Sequence, residues 1–234
     1  MIDAAAIAAN LAAVRAAIAT SAIAVGRDPA AITLVAVSKG QPAAAIAAAY
    51  QCGHRDFGEN YVQEWQEKAA TLRDLPDLRW HFLGHLQRNK VKLVVGRVHL
   101  LHGVDDMQGL DEMARFAWQT KCDQAVLLQV NLADEATKRG CTAADAELFV
   151  DVLRRSPGLH LRGLMLLPPP APDAEAVRPW FAQLRRLRDQ LAGNAAEPWL
   201  LSMGMSDDFA VAVAEGATHV RVGTAIFGPR LPHG

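Results

Sequence analysis

The sequence has no excess of charge of either sign and few cysteines. Its 24 Lys and Arg side chains are matched by 25 Asp and Glu side chains, for a formal net charge of -1, and this balance argues against a broad basic face for nucleic acid. The three cysteines, Cys52, Cys122 and Cys141, form no CxxC pair. We therefore expect reduced thiols in a cytoplasmic protein and no disulfide framework.

A targeting segment and a membrane span are also missing from the sequence pattern. Residues 1–26 are rich in alanine, but Asp3 and Arg15 interrupt them, and they lack the basic start, apolar centre and cleavage site of a signal peptide. No apolar run is expected to be long enough to cross a bilayer. The sequence thus predicts a soluble protein without a membrane partner.

Regularly spaced apolar residues are what the sequence does contain. Hydrophobic residues of all kinds make up 51% of the 234 residues, which is enough to bury one large core. We therefore predict a single domain over residues 1–234. Helical spacing predicts an amphipathic N-terminal helix within residues 1–27, packed on that domain through Ile2, Ile7, Leu11, Val14 and Ile18.

Strand-like and helix-like segments alternate along the rest of the chain. The strand-like runs are 32–38, 54–59, 79–83, 98–102, 125–131, 161–166, 199–202 and 219–223. The helix-like segments between them are 42–52, 61–72, 87–95, 108–121, 143–154, 173–191 and 207–215. Eight such units in one domain predict an α/β fold, a closed parallel (β/α)8 barrel of the TIM type. The proline-rich stretch 168–172 is predicted to be a stiff loop.

A lysine ends the first predicted strand, whose last residues read VAVSK over 35–39. Apolar neighbours disfavour the charged form of a lysine, so the pKa of Lys39 is expected to fall and its neutral amine to become a nucleophile for Schiff-base chemistry. The alternative is an ordinary solvated lysine at a strand end.

Two loops with small and hydroxyl residues follow the seventh and eighth strands, where such barrels commonly hold phosphate. The first, 202–208, reads SMGMSDD, and Ser206 or Asp207 could cap the next helix. The second, 221–228, contains Gly223, which permits close approach of an anion, and Thr224, which adds a hydroxyl donor. Opposite a strand-end lysine, these loops suit pyridoxal 5'-phosphate (PLP).

Two further residues are candidate cofactor contacts, Arg221 and Asn60. Arg221 lies on the same face of its strand as Gly223 and would keep a pyridine nitrogen beside it unprotonated, unless it is a salt-bridged arginine of the barrel. Asn60 could hydrogen-bond the phenolic oxygen of the cofactor, or it could cap the helix that follows.

A pair of histidines and a basic loop are two further candidate features. His81 and His85 have the spacing of a zinc pair, but the expected Glu is absent and a strand-to-loop position spoils helical geometry, so no metal is predicted. Lys138 and Arg139 could steer a phosphate ester at the cofactor face, or they could be solvated loop charges.

Several segments together closely resemble the pyridoxal phosphate homeostasis proteins, the YggS/PROSC family, which are similar to the N-terminal barrel of alanine racemase. The matching segments, in family order, are 37–39, 57–61, 80–90, 163–165, 201–208 and 221–228. Two segments depart from the family pattern: Gly40-Gln41-Pro42 stands where the family often has Thr-Lys-Pro, and the loop 165–170 is richer in proline.

The resemblance implies a set of cofactor-binding residues. Lys39 would form the internal aldimine, Arg221 would face the ring nitrogen and Asn60 would lie beside the ring. Ser202, Gly223 and Thr224 would hold the phosphate, and Met203 and Gly204 belong to the same expected site. The resemblance also implies a protein that buffers or delivers PLP in amino-acid and cofactor homeostasis, with PLP-dependent apoenzymes as partners and no catalytic turnover. We expect a monomer, because the sequence shows no contiguous exposed apolar surface.

Two other functions stay open at this point. One is a PLP-dependent amino-acid racemase or isomerase, although Tyr50 and Tyr61 are the two tyrosines and both precede the third strand, so a second base is not evident. The other is a phosphate-ligand barrel in which Lys39 stays unmodified.

Overall fold

The computed structural model of the protein describes residues 2–135, 138–193, 195 and 197–229. Within these residues, eight parallel strands close into a barrel in chain order. The strands are β1 (Thr33–Val37), β2 (Asp56–Glu59), β3 (Arg79–Phe82), β4 (Leu100–Val104), β5 (Gln124–Val130), β6 (Leu159–Leu166), β7 (Leu200–Ser202) and β8 (His219–Val222). The predicted (β/α)8 barrel is therefore confirmed.

A helix follows every strand, and one more precedes the barrel. The helices are α1 (Ala4–Ala24), α2 (Ala43–Gln51), α3 (Val62–Thr71), α4 (Val91–Val94), α5 (Met107–Thr120), α6 (Ala146–Arg155), α7 (Arg178–Ala192), α8 (Phe209–Ala214) and α9 (Thr224–Phe227). Short 3-10 helices cover Pro29–Ala31, Arg88–Lys90 and Glu175–Val177.

The boundaries differ from the sequence-based prediction at several places, including the starts of β2 at Asp56 and of α7 at Arg178. β4 lies two residues later than 98–102, because all five of its residues are buried and no alternation marks its ends. β6 begins earlier, at Leu159, and the helix expected over 87–95 is a 3-10 turn followed by the single turn α4. Helix α9 was not predicted, since four residues are too few to show helical periodicity. The proline-rich stretch 168–172 is irregular, as predicted.

The N-terminal helix α1 lies against the outer helices of the barrel. Asp3 caps it by accepting a hydrogen bond from the Ala6 N–H at 2.9 Å. Its buried stripe packs towards α2, α8 and α9 and consists of Ile7, Leu11, Val14, Ile18 and Ala22. By length and composition the 21-residue helix is also apolar enough to cross a membrane, so the expectation that no run is long enough was wrong. The high mean hydropathy of this helix comes from its many alanines, most of which lie outside the buried stripe.

The barrel interior is divided into an apolar and a polar part. Leu100, Leu127 and Met165, from β4, β5 and β6, form a small apolar cluster of their own. Strands β3, β4, β7 and β8 contribute buried polar side chains, among them His81, His102, Ser202, His219 and Arg221. This polar part leads to the carboxyl ends of the strands, where the largest loops meet.

Candidate functional site

A cavity of about 280 Å³ opens at the carboxyl ends of β1, β2, β6, β7 and β8. Five of the eight residues predicted for the site line it: Lys39, Asn60, Arg221, Gly223 and Thr224. Its apolar walls come from Val37, Leu83, Met165, Leu167 and Met205. The cavity thus combines the side chains of Lys39 and Arg221 with apolar walls.

Lys39 follows the last residue of β1 by two positions and is half-buried in the cavity wall. The preceding Ser38 is fully buried, and its N–H donates to the Gly58 carbonyl at 2.9 Å. Its hydroxyl donates to Glu59 Oε1 at 2.7 Å. The backbone on the strand side of Lys39 is therefore held to β2.

A buried ion cluster supports the turn that carries Lys39. Lys68 Nζ donates at 2.7 Å to the Ser38 carbonyl, to Glu59 Oε1 and to Glu64 Oε1. Glu64 Oε1 also accepts from the Gly40 N–H, so the cluster holds the backbone on both sides of Lys39. Burial raises the pKa of Glu59, although Lys68 and Ser38 favour its charged form.

Sequence reasoning missed this cluster. The available signal was the spacing of Glu64 and Lys68, which lie four residues apart on α3 and so share a helix face. Nothing local indicated that Lys68 would point into the protein, because lysine on a helix is usually exposed.

Arg221 lies on β8 and is almost fully buried, at 4% exposure. Its NH1 group donates to Ser202 Oγ at 2.7 Å and its NH2 group to the Leu166 carbonyl at 2.9 Å. Burial lowers the pKa of Arg221 to about 10, partly opposed by the more distant Asp208 carboxylate, so the side chain stays cationic at neutral pH. In the described part of the chain no ion pair joins it to a carboxylate, which removes the alternative of a salt-bridged barrel arginine.

Asn60 is not the helix cap that position alone favoured. The N-cap of α3 is Tyr61, and no side-chain bond caps that helix. The Asn60 Oδ1 atom is buried and has no hydrogen-bond partner among the described residues, while the residue lines the cavity. An unsatisfied buried amide oxygen is costly, so a hydroxyl-bearing ligand in the cavity would relieve it.

The loop after β8 brings its backbone close to β1. A Cβ at Gly223 would lie 2.9 Å from the Val37 carbonyl oxygen, so a side chain there would displace the strand end. Thr224, exposed at the cavity, begins α9, whose first N–H groups have no partner within the helix. Gly223 and Thr224 are thus the residues of this loop, together with Gly228, that line the cavity.

Ser202, Met203 and Gly204 do not line the cavity, and the cofactor contact expected of them stays a prediction. All three are buried beneath it, and the Ser202 hydroxyl is already engaged by Arg221 and by His102 Nδ1 at 2.8 Å. The strand ends below the cavity floor, and the chain needs three further residues to reach the opening. The residues that reach it are Met205, Ser206 and Asp207, of which the sequence had marked the last two as caps.

His81 and His85 point to different places. His81 is buried inside the barrel, whereas His85 lies at the mouth with its Nδ1 atom 2.8 Å from Asp105 Oδ2. Ligand atoms of His85, Asp105 and Asp106 lie within 4.8 Å of one another. Asp106 also accepts from the Gly109 N–H as the cap of α5, and Arg139 approaches Asp105 at 4.0 Å, so a cation there would compete with existing contacts.

Lys138 joins two loops at the same face of the barrel. Its Nζ atom donates to the Pro168 carbonyl at 3.1 Å and pairs with Glu135 at 2.9 Å. The proposed steering role of Lys138 and Arg139 stays a prediction.

Comparisons with known proteins agree on one family. The family model described as "Alanine racemase, N-terminal domain" matches residues 2–231. The pyridoxal phosphate homeostasis protein of Pseudomonas aeruginosa is 44% identical over 224 residues, which is 96% of each chain. The protein of that name from Escherichia coli K12 is 42% identical over 229 residues, 96% of this chain and 97% of the other.

Solved structures show the same relationship. The structure of PipY from Synechococcus elongatus with PLP bound is 40% identical, has a TM-score of 0.83 and covers 95% of this chain and 100% of its own. Alanine racemase from Corynebacterium glutamicum shares the fold alone, with a TM-score of 0.71 and 19% identity. That match covers 100% of this chain and 64% of the racemase.

Proposed function

The chain belongs to the family of the alanine racemase N-terminal domain, and we propose that it is a PLP-binding protein of cofactor homeostasis that holds PLP on Lys39. Its relatives at 40–44% identity carry the name pyridoxal phosphate homeostasis protein, and the related PipY structure holds PLP. We further propose that it buffers or delivers PLP to apoenzymes in the cytoplasm, as a monomer.

One observation carries the proposal: the cavity that contains Lys39 also contains Arg221, a buried cation without an ion-paired carboxylate in the described residues. A buried charge needs compensation, and an anionic ligand would supply it. PLP supplies an aldehyde that condenses with an amine, with release of water, and it brings a flat ring and a phosphate to the same site.

Each lining residue has a distinct part in holding such a ligand. Lys39 provides the amine, and the apolar walls receive the ring. Arg221 faces the ring nitrogen and disfavours its protonation, and Asn60 hydrogen-bonds the phenolic oxygen. Gly223 and Thr224 contact the phosphate, whereas Ser202 acts one step further away by orienting Arg221.

A racemase would need a second base at the ligand, and neither tyrosine is placed to provide one. Tyr50 hydrogen-bonds Asp77 and contacts Arg55, away from the cavity. Tyr61 is 60% exposed and does not line the cavity. We therefore favour a carrier over an enzyme, and negligible exchange of the α-proton of an amino acid in deuterated water is the expected result. Rapid exchange would support the racemase instead.

The experiment that tests the proposal is borohydride reduction of the purified protein followed by peptide mapping. We expect a visible absorbance that reduction removes, a pyridoxyl group on Lys39, and no covalent adduct in a folded Lys39→Ala variant. A Lys90→Ala variant serves as the control and should be labelled like the native protein. A label on Lys90 or Lys138 in the native protein would contradict the assignment, and absence of any visible chromophore would favour a simple phosphate-ligand barrel.

A further inference from the structure

Polar side chains inside the barrel form a continuous chain of hydrogen bonds that ends at Arg221. Asp56 Oδ1 lies 3.1 Å from His81 Nε2, and His81 Nδ1 lies 3.0 Å from His102 Nε2. His102 Nδ1 lies 2.8 Å from Ser202 Oγ, which accepts from Arg221 at 2.7 Å. All five residues are buried, with at most 8% exposure. The chain therefore links the first residue of β2 to the cavity at the other end of the strands.

The far end of the chain is held by an ion pair. Arg79 donates through Nε to Asp56 Oδ1 at 2.7 Å and through NH2 to Asp56 Oδ2 at 2.6 Å. Burial opposes the charge on Asp56, but the hydrogen bonds from Arg79 and His81 outweigh it and hold the pKa of this carboxyl below its usual range. An ionised Asp56 is an acceptor only, so His81 must carry a proton on Nε2.

When both histidines are neutral, donor and acceptor capacities determine every remaining bond. A neutral His81 protonated on Nε2 accepts at Nδ1, so His102 must donate from its own Nε2. A neutral His102 with that proton accepts at Nδ1, so the Ser202 hydroxyl donates to it. Arg221 has donors only, and it donates to the Ser202 oxygen. Every bond therefore points from Arg221 towards Asp56.

The surroundings favour the neutral form of His102, the histidine next to Ser202. Burial, followed by His81, His219, Arg221 and His99, lowers the pKa of His102 well below 6.5. His99 and His219 lie beside His81, with ring centroids at 5.4 Å and 5.9 Å. Burial lowers the pKa values of these two histidines as well, that of His219 to about 3. A second proton on His102 would thus be opposed by burial and by the nearby Arg221 cation.

We propose that Asp56, His81 and His102 are positioning residues that act through Ser202 on Arg221. Each hydrogen bond in this chain is donated towards Asp56, and the chain as a whole fixes the orientation of the Arg221 guanidinium in the cavity. The Asp56–Arg79 ion pair then helps to set the orientation of a cation at the opposite end of the barrel. The effect of this hydrogen-bond chain on PLP binding rests on the proposed function. The direction of its hydrogen bonds does not.

Histidine tautomers test the order of the chain without any ligand. Long-range ¹H–¹⁵N correlation spectra of the unliganded protein at neutral pH should show His81 and His102 neutral and protonated on Nε2 alone. Single His→Gln variants assign the two signals. Protonation of either ring on Nδ1 at neutral pH would overturn the proposal, whether or not the protein binds PLP.

An Asp56→Asn variant tests the link to Arg221. The asparagine amide replaces one of the two carboxylate acceptors with an NH2 donor, which opposes the donors of Arg79 and, when it takes the Oδ1 position, that of His81. The tautomers of His81 and His102 should therefore become mixed, and the ¹⁵N signals of Arg221 should shift. The dissociation constant for PLP should rise about tenfold, the equivalent of ~1.4 kcal/mol.

The matched control is Asp77→Asn, which makes the same chemical change in the ion pair with Arg55 outside the chain. It should leave the Arg221 and His102 signals and PLP binding unchanged. Unchanged signals in Asp56→Asn, unchanged PLP binding in that variant, or equal changes in both variants would contradict the proposal. If Asp56→Asn does not fold, Ser202→Ala tests the other end: the Arg221 signals and the His102 Nδ1 signal should shift together, and independent behaviour would refute the link.

Discussion

At the residue scale, buried charges decide how the neighbourhood of Lys39 is held. The Lys68 ammonium lies between Glu59 and Glu64 and also binds the Ser38 carbonyl. None of these three partners lines the cavity. Removal of one partner from a buried ion pair leaves an uncompensated charge, which costs far more than loss of a surface pair. The turn of Lys39 therefore depends on a residue 29 positions away in sequence.

We expect Lys68→Met to lower the free energy of unfolding by about 3–5 kcal/mol, because it leaves Glu59 buried without a cation. Urea denaturation measures this change. Lys92→Met, which changes an exposed lysine of α4, is the control and should stay within about 0.5 kcal/mol of the native protein. Equal stabilities of the two variants would show that the cluster does not hold the turn.

Thr224 gives a prediction about the phosphate. A hydrogen bond to a charged group is worth about 1.5–3 kcal/mol, so Thr224→Val should weaken PLP retention about tenfold or more. Equilibrium titration with PLP and with pyridoxal, which lacks the phosphate, separates the phosphate contact from a general disturbance. Pyridoxal binding should be unchanged, and an equal loss for both ligands would argue against a phosphate contact at Thr224.

At the element scale, α1 shows that composition and packing can point to different environments. Its alanine-rich surface gives it the hydropathy of a membrane span, yet a narrow stripe of larger side chains lies against the outer helices of the barrel. Asn10 adds a polar contact in the same place, since its amide donates to the Ile226 carbonyl at 3.0 Å. We expect this stripe to contribute to the stability of the barrel.

Leu11→Ala tests that contribution. Leu11 is 1% exposed, and truncation of a buried leucine costs about 2–5 kcal/mol through lost burial and the cavity left behind. The variant should lower the urea midpoint of the whole protein. Ile23→Ala, on the same helix but 68% exposed, should change stability by less than about 0.5 kcal/mol. An unchanged urea midpoint in the Leu11→Ala variant would mean that α1 does not pack on the barrel in solution.

At the scale of the whole molecule, buried histidines couple stability to pH. Burial is the main cause that lowers the pKa of His54 from 6.5 to about 4 and that of His219 to about 3, and it also keeps His102 neutral. The unfolded chain binds protons at these histidines near pH 6.5, whereas the folded protein does not until the pH is lower. Folding stability must therefore fall as the pH falls through this window.

We expect the free energy of unfolding to decrease from pH ~6.5 to ~4, by up to about 1.4 kcal/mol per pH unit for each histidine kept neutral. The raised pKa of Glu59 has the opposite effect, because the folded protein binds a proton at this carboxyl at a higher pH than the unfolded chain does. This single proton offsets at most one of the histidine protons. Urea denaturation at several pH values measures the slope. His54→Gln should reduce it, and His160→Gln, a change in an exposed side chain, should not. A pH-independent stability over this range would contradict the neutral histidine interior.

The sequence by itself determined the architecture and the main residues that line the cavity. Strand and helix periodicity is a local property, and the carboxyl ends of parallel strands always meet at one end of a closed barrel. For that reason Lys39 after β1 and Gly223 after β8 could be placed in one site from their positions alone, and Arg221 could be placed on the inward face.

The tertiary structure decided which polar groups touch one another inside the barrel. His102 and Ser202 are 100 residues apart, and their contact depends on the stagger and twist of strands that no local pattern encodes. The same holds for Ser202, which lies below the cavity floor, and for Lys68, which a helix pattern would place in solvent. Contacts of this kind are properties of several elements at once, because each one requires the register of all the strands between the two partners.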